Sequence, residues 1–223
     1  MTETSLAILV WTAITIGVTH TVIGPDHYVP FIAIARARGW TGARTLTVTV
    51  LCGLGHVLSS VAIGALGIAG GAALGRLEAI ESVRGEWASW ALIAFGVGYG
   101  AWGLWRARRG HGHGHRHLPG GGHLDEHGGR SVTFWTLFIV FVLGPCEPLV
   151  PLLMFPAARH DWVGVWVVTG AFGVATVGTM CALVLAGSRG LARVRVAGLE
   201  RYAHALAGGI IAMSGAAIRL FGI

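Results

Sequence analysis

Apolar and polar positions in this chain fall into long blocks. Apolar runs of about 20 residues cover 5–23, 45–74, 87–105, 132–154, 162–187 and 203–223, with short Arg-bearing connectors between them. Crossing ~30 Å of hydrocarbon as a helix takes about 20 apolar residues. The pattern predicts an all-α, polytopic integral membrane protein of about six transmembrane helices. A short amphipathic stretch, 28–37, follows the first run, and a charged connector with Arg76, Glu78, Glu81, Arg84 and Glu86 precedes the third. The first run is too long for a signal-peptide core and carries Glu3 where a basic flank would stand, so it is expected to remain as a span.

Composition narrows the class. Of 223 residues, 54% are hydrophobic and 12% charged, against about 25% charged in soluble domains. That excludes an ordinary cytosolic enzyme and a disordered chain. The net charge of +6 comes from sixteen arginines and no lysine. Between apolar spans such charge reads as topology and contact with anionic lipid headgroups, with no nucleic-acid partner implied. Without lysine there is no Walker-type phosphate loop, so the chain is no ATPase and is expected not to be an enzyme. Six spans would place twelve arginines on one side and four on the other. Arg-rich short loops stay cytoplasmic. The expectation is a cytoplasmic (inner) membrane protein with both termini outside.

An offset of 120 residues lays Gly24-Pro25 on Gly144-Pro145, Val48-Thr49 on Val168-Thr169, Gly53 on Gly173 and Val57 on Val177. Each Gly-Pro pair falls near the end of the first span of its half. Three spans per half is an odd number, so the halves would be inverted, at 1–106 and 131–223, joined by a cytoplasmic histidine-rich loop at 107–130. Inverted repeats with broken helices are a plan of secondary transporters, whose sites lie at the repeat interface.

The first half carries His20, then Gly24, Pro25, Asp26 and His27. Ionisable groups at membrane depth are functional candidates. On an unbroken helix His20 and His27 would stand about 10 Å apart, but a break at Gly24-Pro25 lets His20, Asp26 and His27 converge. In the second half Cys146 takes the place of Asp26 and Glu147 that of His27, while His56 matches Thr176. Imidazole, carboxylate and thiolate suit nickel, cobalt or zinc better than magnesium or calcium. The candidate metal ligands are therefore His20, Asp26, His27, His56, Cys146 and Glu147.

Plainer roles compete. Asp26 also fits as the cap of the short helix after Pro25, His56 as an interhelical hydrogen bonder, and Cys146 as a buried apolar thiol. Cys52 and Cys181 read as core, and the glycines of 96–100 as close-packing positions. In the loop, His111, His113, His115, His117, His123 and His127 form either an accessory metal collector or a solvated linker.

The segment HTVIGPDHYVPFIAIARARGW resembles the signature region of the nickel/cobalt transporter superfamily, nearest its urease-accessory UreH-like branch, where Gly-Pro precedes an Asp-His pair. GPCEPLVPLLMFPAA is similar to that group's second signature. The resemblance implies nickel or cobalt transport, with His20, Asp26 and His27 at the metal site, no permanently bound cofactor and the divalent ion as cargo. It leaves room for zinc and for a homo-oligomer. Two rivals share a similar architecture. A thiol-redox electron carrier needs paired cysteines, yet Asp26 stands opposite Cys146. A sulfite-type anion exporter would aim arginines at its substrate, yet the arginines lie in the connectors.

Overall fold

The computed structural model describes residues 3–71, 73–109, 126–193 and 200–221, without the side chains of 126–132 and 192–193. They are helical, with no strand among them. The helices are α1 (Glu3–Ile23), α2 (Val29–Arg38), α3 (Gly42–Ala69), α4 (Leu74–Arg108), α5 (Glu126–Leu143), α6 (Leu149–Ala158), α7 (Trp162–Arg193) and α8 (Ala203–Phe221). Single 3-10 turns occupy Pro25–His27 and Glu200–Tyr202.

Four helical segments among the described residues are long and apolar enough to cross a bilayer: Glu3–Ile23, Gly42–Ala69, Trp162–Leu191 and Glu200–Phe221. This is consistent with a membrane protein. Their outer faces carry Trp11, Leu66, Trp166, Val174 and Met213, all well exposed. So much contiguous apolar surface suits lipid and not water. Threonine hydroxyls along α1 satisfy themselves locally. The hydroxyls of Thr12, Thr15, Thr19 and Thr21 each donate to the carbonyl four residues back, as hydrocarbon requires.

One expectation changes. The charged segment 76–86 is not a connector but the first third of α4, which runs 35 residues without interruption. The apolar run 132–154 is broken at its Gly-Pro pair. α5 ends at Leu143, where Gly144 donates to Val140 O at 2.9 Å, and Pro145 and Pro148 precede α6. The first run ends in the same way at Gly24-Pro25.

Packing follows the small residues. α1 buries only Ala13, Gly17 and Thr21, a narrow stripe against α7. A Cβ on Gly17 would stand 3.1 Å from both Phe172 O and Thr176 Oγ1. The α4–α8 crossing is closer still. A Cβ on Gly96 would lie 2.7 Å from Gly208 O and 2.8 Å from Ala212 Cα, so these backbones touch. Two apolar clusters flank the centre. One gathers Phe31, Ile34, Leu92, Phe141, Met180 and Ile211. The other gathers Ala13, Val57, Cys146, Leu149, Leu153 and Phe172. α7 starts on a cap, with Gly164 N–H donating to Asp161 Oδ1 at 2.8 Å. That bond holds the Asp161 carboxyl below its ordinary range.

Candidate metal centre

Pro25 has no N–H to continue α1, and the chain turns over Pro25–His27 instead. Gly24 N–H closes the helix on His20 O at 3.0 Å, and His27 N–H bonds Gly24 O at 3.2 Å. The turn sets the His27 ring edge-on to His20, with centroids 4.7 Å apart. The middle of α3 contributes His56, whose ring lies 5.1 Å from that of His27 and 6.4 Å from that of His20. One ring nitrogen from each of the three lies within 4.8 Å of the other two.

The hydrogen bonds fix which nitrogen faces inward. His27 Nδ1 stands 3.1 Å from Asp26 Oδ1 and 3.2 Å from Gly24 O. His56 Nδ1 stands 3.3 Å from Phe141 O. These partners only accept, so each Nδ1 carries a proton, and in the neutral imidazole each Nε2 keeps its lone pair. The Nε2 atoms of His20, His27 and His56 are buried without a hydrogen-bond partner. His27 and His56 are each 2% exposed. Three clustered rings with unpartnered, buried Nε2 atoms, two of them oriented by a carboxylate or carbonyl on the far nitrogen, match the way proteins prepare histidines for a metal.

Asp26 belongs to the group through His27. It does not cap a helix, since neither the turn nor α2 has a side-chain cap bond. Glu147 is exposed and lines the same cavity of about 690 Å³ as His20, Asp26, His27 and His56. Cys146 is placed elsewhere. Its side chain is fully buried in the apolar cluster with Leu149 and Phe172, and its backbone N–H donates to Glu81 Oε2 at 2.9 Å. All three cysteines are free. His111, His113, His115, His117 and His123 lie outside the described residues, as does the side chain of His127, whose backbone begins α5.

The cavity wall also carries Glu86 and Arg219, which pair at 2.8 Å. With Asp26, Glu86 and Glu147 against Arg219, the acidic side chains outnumber the basic one. Sequence reasoning missed Glu86, and it missed the fully buried Glu81 with Arg84. The available signal was spacing: Glu81 falls on the stripe Leu77, Glu81, Ala88, Leu92, Gly96 that α4 buries. It also missed His204, whose Nδ1 meets the Tyr99 hydroxyl at 2.7 Å. Comparison with protein-family models, with curated proteins and with solved structures finds no match to this chain.

Proposed function

We propose that the chain is a secondary transporter that moves a divalent transition-metal cation, nickel or cobalt first, across the cytoplasmic membrane. The observation that carries this reading is the set of three unpartnered Nε2 atoms of His20, His27 and His56. At about 2.1 Å per bond, two nitrogens on one ion stand at most about 4.2 Å apart. The 4.8 Å spread therefore has to close by at least about 0.6 Å, and by about 1.4 Å to reach the ~3.4 Å separation of nitrogens in a tetrahedral site, through rotation of the three side chains. Imidazole nitrogens favour late first-row ions over magnesium and calcium. The surplus of acid in the cavity favours a cation over an anion.

The architecture supports transport. In each half a Gly-Pro break separates a long helix from a 10-residue one, α2 or α6. Counting α1 with α2 and α5 with α6 as broken spans gives six crossings in two inverted sets of three. α1 packs on α7 while α5 packs on α3, the exchange such a repeat requires. The cavity is bounded by the first half of α4 and the end of α8, away from Arg106, Arg108, Arg109 and Arg201. On the Arg-inside orientation it faces outward.

The test is uptake of Ni2+, Co2+ and Zn2+ into proteoliposomes. Flux of Ni2+ or Co2+ by the intact protein, lost in His27→Ala and reduced in Asp26→Asn at equal insertion, is the expected result. Equal flux in all three proteins overturns the reading. Deleting residues 111–127 in the same assay tells whether the histidine tract tunes uptake.

A further inference from the structure

A heavily bonded ion pair in the described core belongs to neither the imidazole cluster nor the apolar packing. Arg84 Nη1 donates to Ser60 Oγ at 3.2 Å and to Glu81 Oε1. Its Nη2 donates to Ser59 Oγ at 2.8 Å, to Val142 O at 2.7 Å and to Gly144 O at 3.2 Å. The other Glu81 oxygen accepts from Ser60 Oγ at 3.1 Å and from Cys146 N–H at 2.9 Å. One ion pair on α4 thus binds α3 and both sides of the α5–α6 break. The guanidinium takes the last carbonyls of α5, where the helix has none of its own partners left and its dipole is negative. The carboxylate takes the first free N–H beyond Pro145.

Stability alone is a weak reason to keep such a pair. Desolvating two charges costs about as much as their attraction returns, and apolar replacements of similar volume are often as stable. What the pair supplies is position. Ser59 and Ser60 lie one helical turn from His56. Val142 follows Phe141, whose carbonyl orients His56 Nδ1. Gly144 is close enough that a Cβ there would stand 3.3 Å from the same Nδ1. Gly85, between Arg84 and Glu86, is equally close to the break, since its Cβ would lie 2.9 Å from Pro145 Cγ. In the first half the break is steadied from within, by Asp26 and His27. In the second half it is steadied from outside, by α4.

We propose that Glu81 and Arg84 are positioning residues for the cation: they hold the α5–α6 break in register and, through Phe141 O, set the direction of the His56 lone pair. Neither touches the ion. The inference rests on the proposed metal reading of the three histidines and adds residues that no ligand pattern contains.

The experiment is a Co2+ titration of the purified full-length protein, read by the visible absorption of bound Co2+, with thermal midpoints measured in parallel. Glu81→Gln and Arg84→Lys are expected to weaken Co2+ binding by about 10- to 100-fold, the range for partners that orient metal-bound histidines, and to change the band shape. Lysine keeps the charge but lacks the planar fork that reaches five acceptors at once. Folded variants that bind Co2+ with wild-type affinity and spectrum overturn the proposal, whatever their midpoints. Should both variants fail to fold, Ser59→Ala and Ser60→Ala decide: a changed Co2+ spectrum upholds it and an unchanged one overturns it. Wild-type protein that binds no Co2+ removes the metal reading and this inference together. Wild-type binding that is lost in His27→Ala but unaltered in the α4 and serine variants removes the positioning role alone.

Discussion

His56 donates its Nδ1 proton to the carbonyl oxygen of Phe141, 85 residues further along the chain and 3.3 Å away. The bond joins the middle of α3 to the end of α5, and it leaves Nε2 of His56 without a partner, on a ring 5.1 Å from that of His27 and 6.4 Å from that of His20. A helix C-terminus has carbonyls to spare. Here one of them decides the tautomer of a candidate ligand.

On the metal reading, His56→Ala and His27→Ala remove a donor outright. Each is expected to weaken Co2+ or Ni2+ binding by more than the roughly 10- to 100-fold seen when an orienting partner is lost. Asp26→Asn keeps an acceptor for His27 Nδ1 but not the charge, and is expected to fall within that range. Isothermal titration of the purified variants measures all three. A ranking with Asp26→Asn worst would contradict the assignment of Asp26 as the orienting group.

Gly24→Ala tests the turn itself. The new Cβ would stand 2.5 Å from His27 Nδ1 and 2.9 Å from Asp26 Oδ1, so the imidazole must leave its place. On the transport reading, the expected outcome is near-complete loss of cation uptake with ordinary membrane insertion, because the damage is confined to one turn. Uptake assays beside a detergent-solubility check read both.

Fold and candidate site were legible in the sequence to different depths. Apolar blocks marked the helices, and the Gly-Pro pairs marked where α1 and α5 stop, because a missing N–H and a missing Cβ act locally. The grouping of His20 with His27 followed from the first break. The segment 76–86 was misread because hydropathy treats charge as water-facing, whereas Glu81 is fully buried among donors from three elements. Cys146 and Glu147 read as a joint ligand pair. As neighbours in a turn they face different surroundings, one packed on Leu149 and Phe172 and the other lining the cavity. Such long-range partners leave no trace in spacing.

Gly208→Val is expected to prevent assembly of the bundle. Its Cβ would approach Gly96 O at 2.5 Å, and the α4–α8 crossing has no flexible side chain there to yield. Overpacking of this kind costs about 1–3 kcal/mol or more. Loss of a monodisperse peak in size-exclusion chromatography is the readout. Gly98→Ala, at a position on the same helix with open space around it, is expected to behave as wild type.

Asp161→Ala removes the cap of α7. The Gly164 bond lowers the folded-state pKa of this carboxyl, so its contribution is complete above the ordinary aspartate value of about 3.9 and is lost as pH falls through the lower folded value. The variant is expected to melt earlier than wild type at neutral pH. The gap should narrow as the solution is acidified below that range. Thermal melts across pH in the same detergent give the comparison.

Because the glycines of α4 and α8 let their main chains touch, neither helix can slide along the other without first lifting away. The two therefore travel as one strut. On the transport reading, a rearrangement that turns the cavity toward the opposite face has to be absorbed away from this strut and from the α5–α6 break it holds, where α1 meets α7 and where the chain bends at Gly24. The bend at Gly24 lies between His20 and His27, so on that reading a bound ion would be gripped or released by the motion itself.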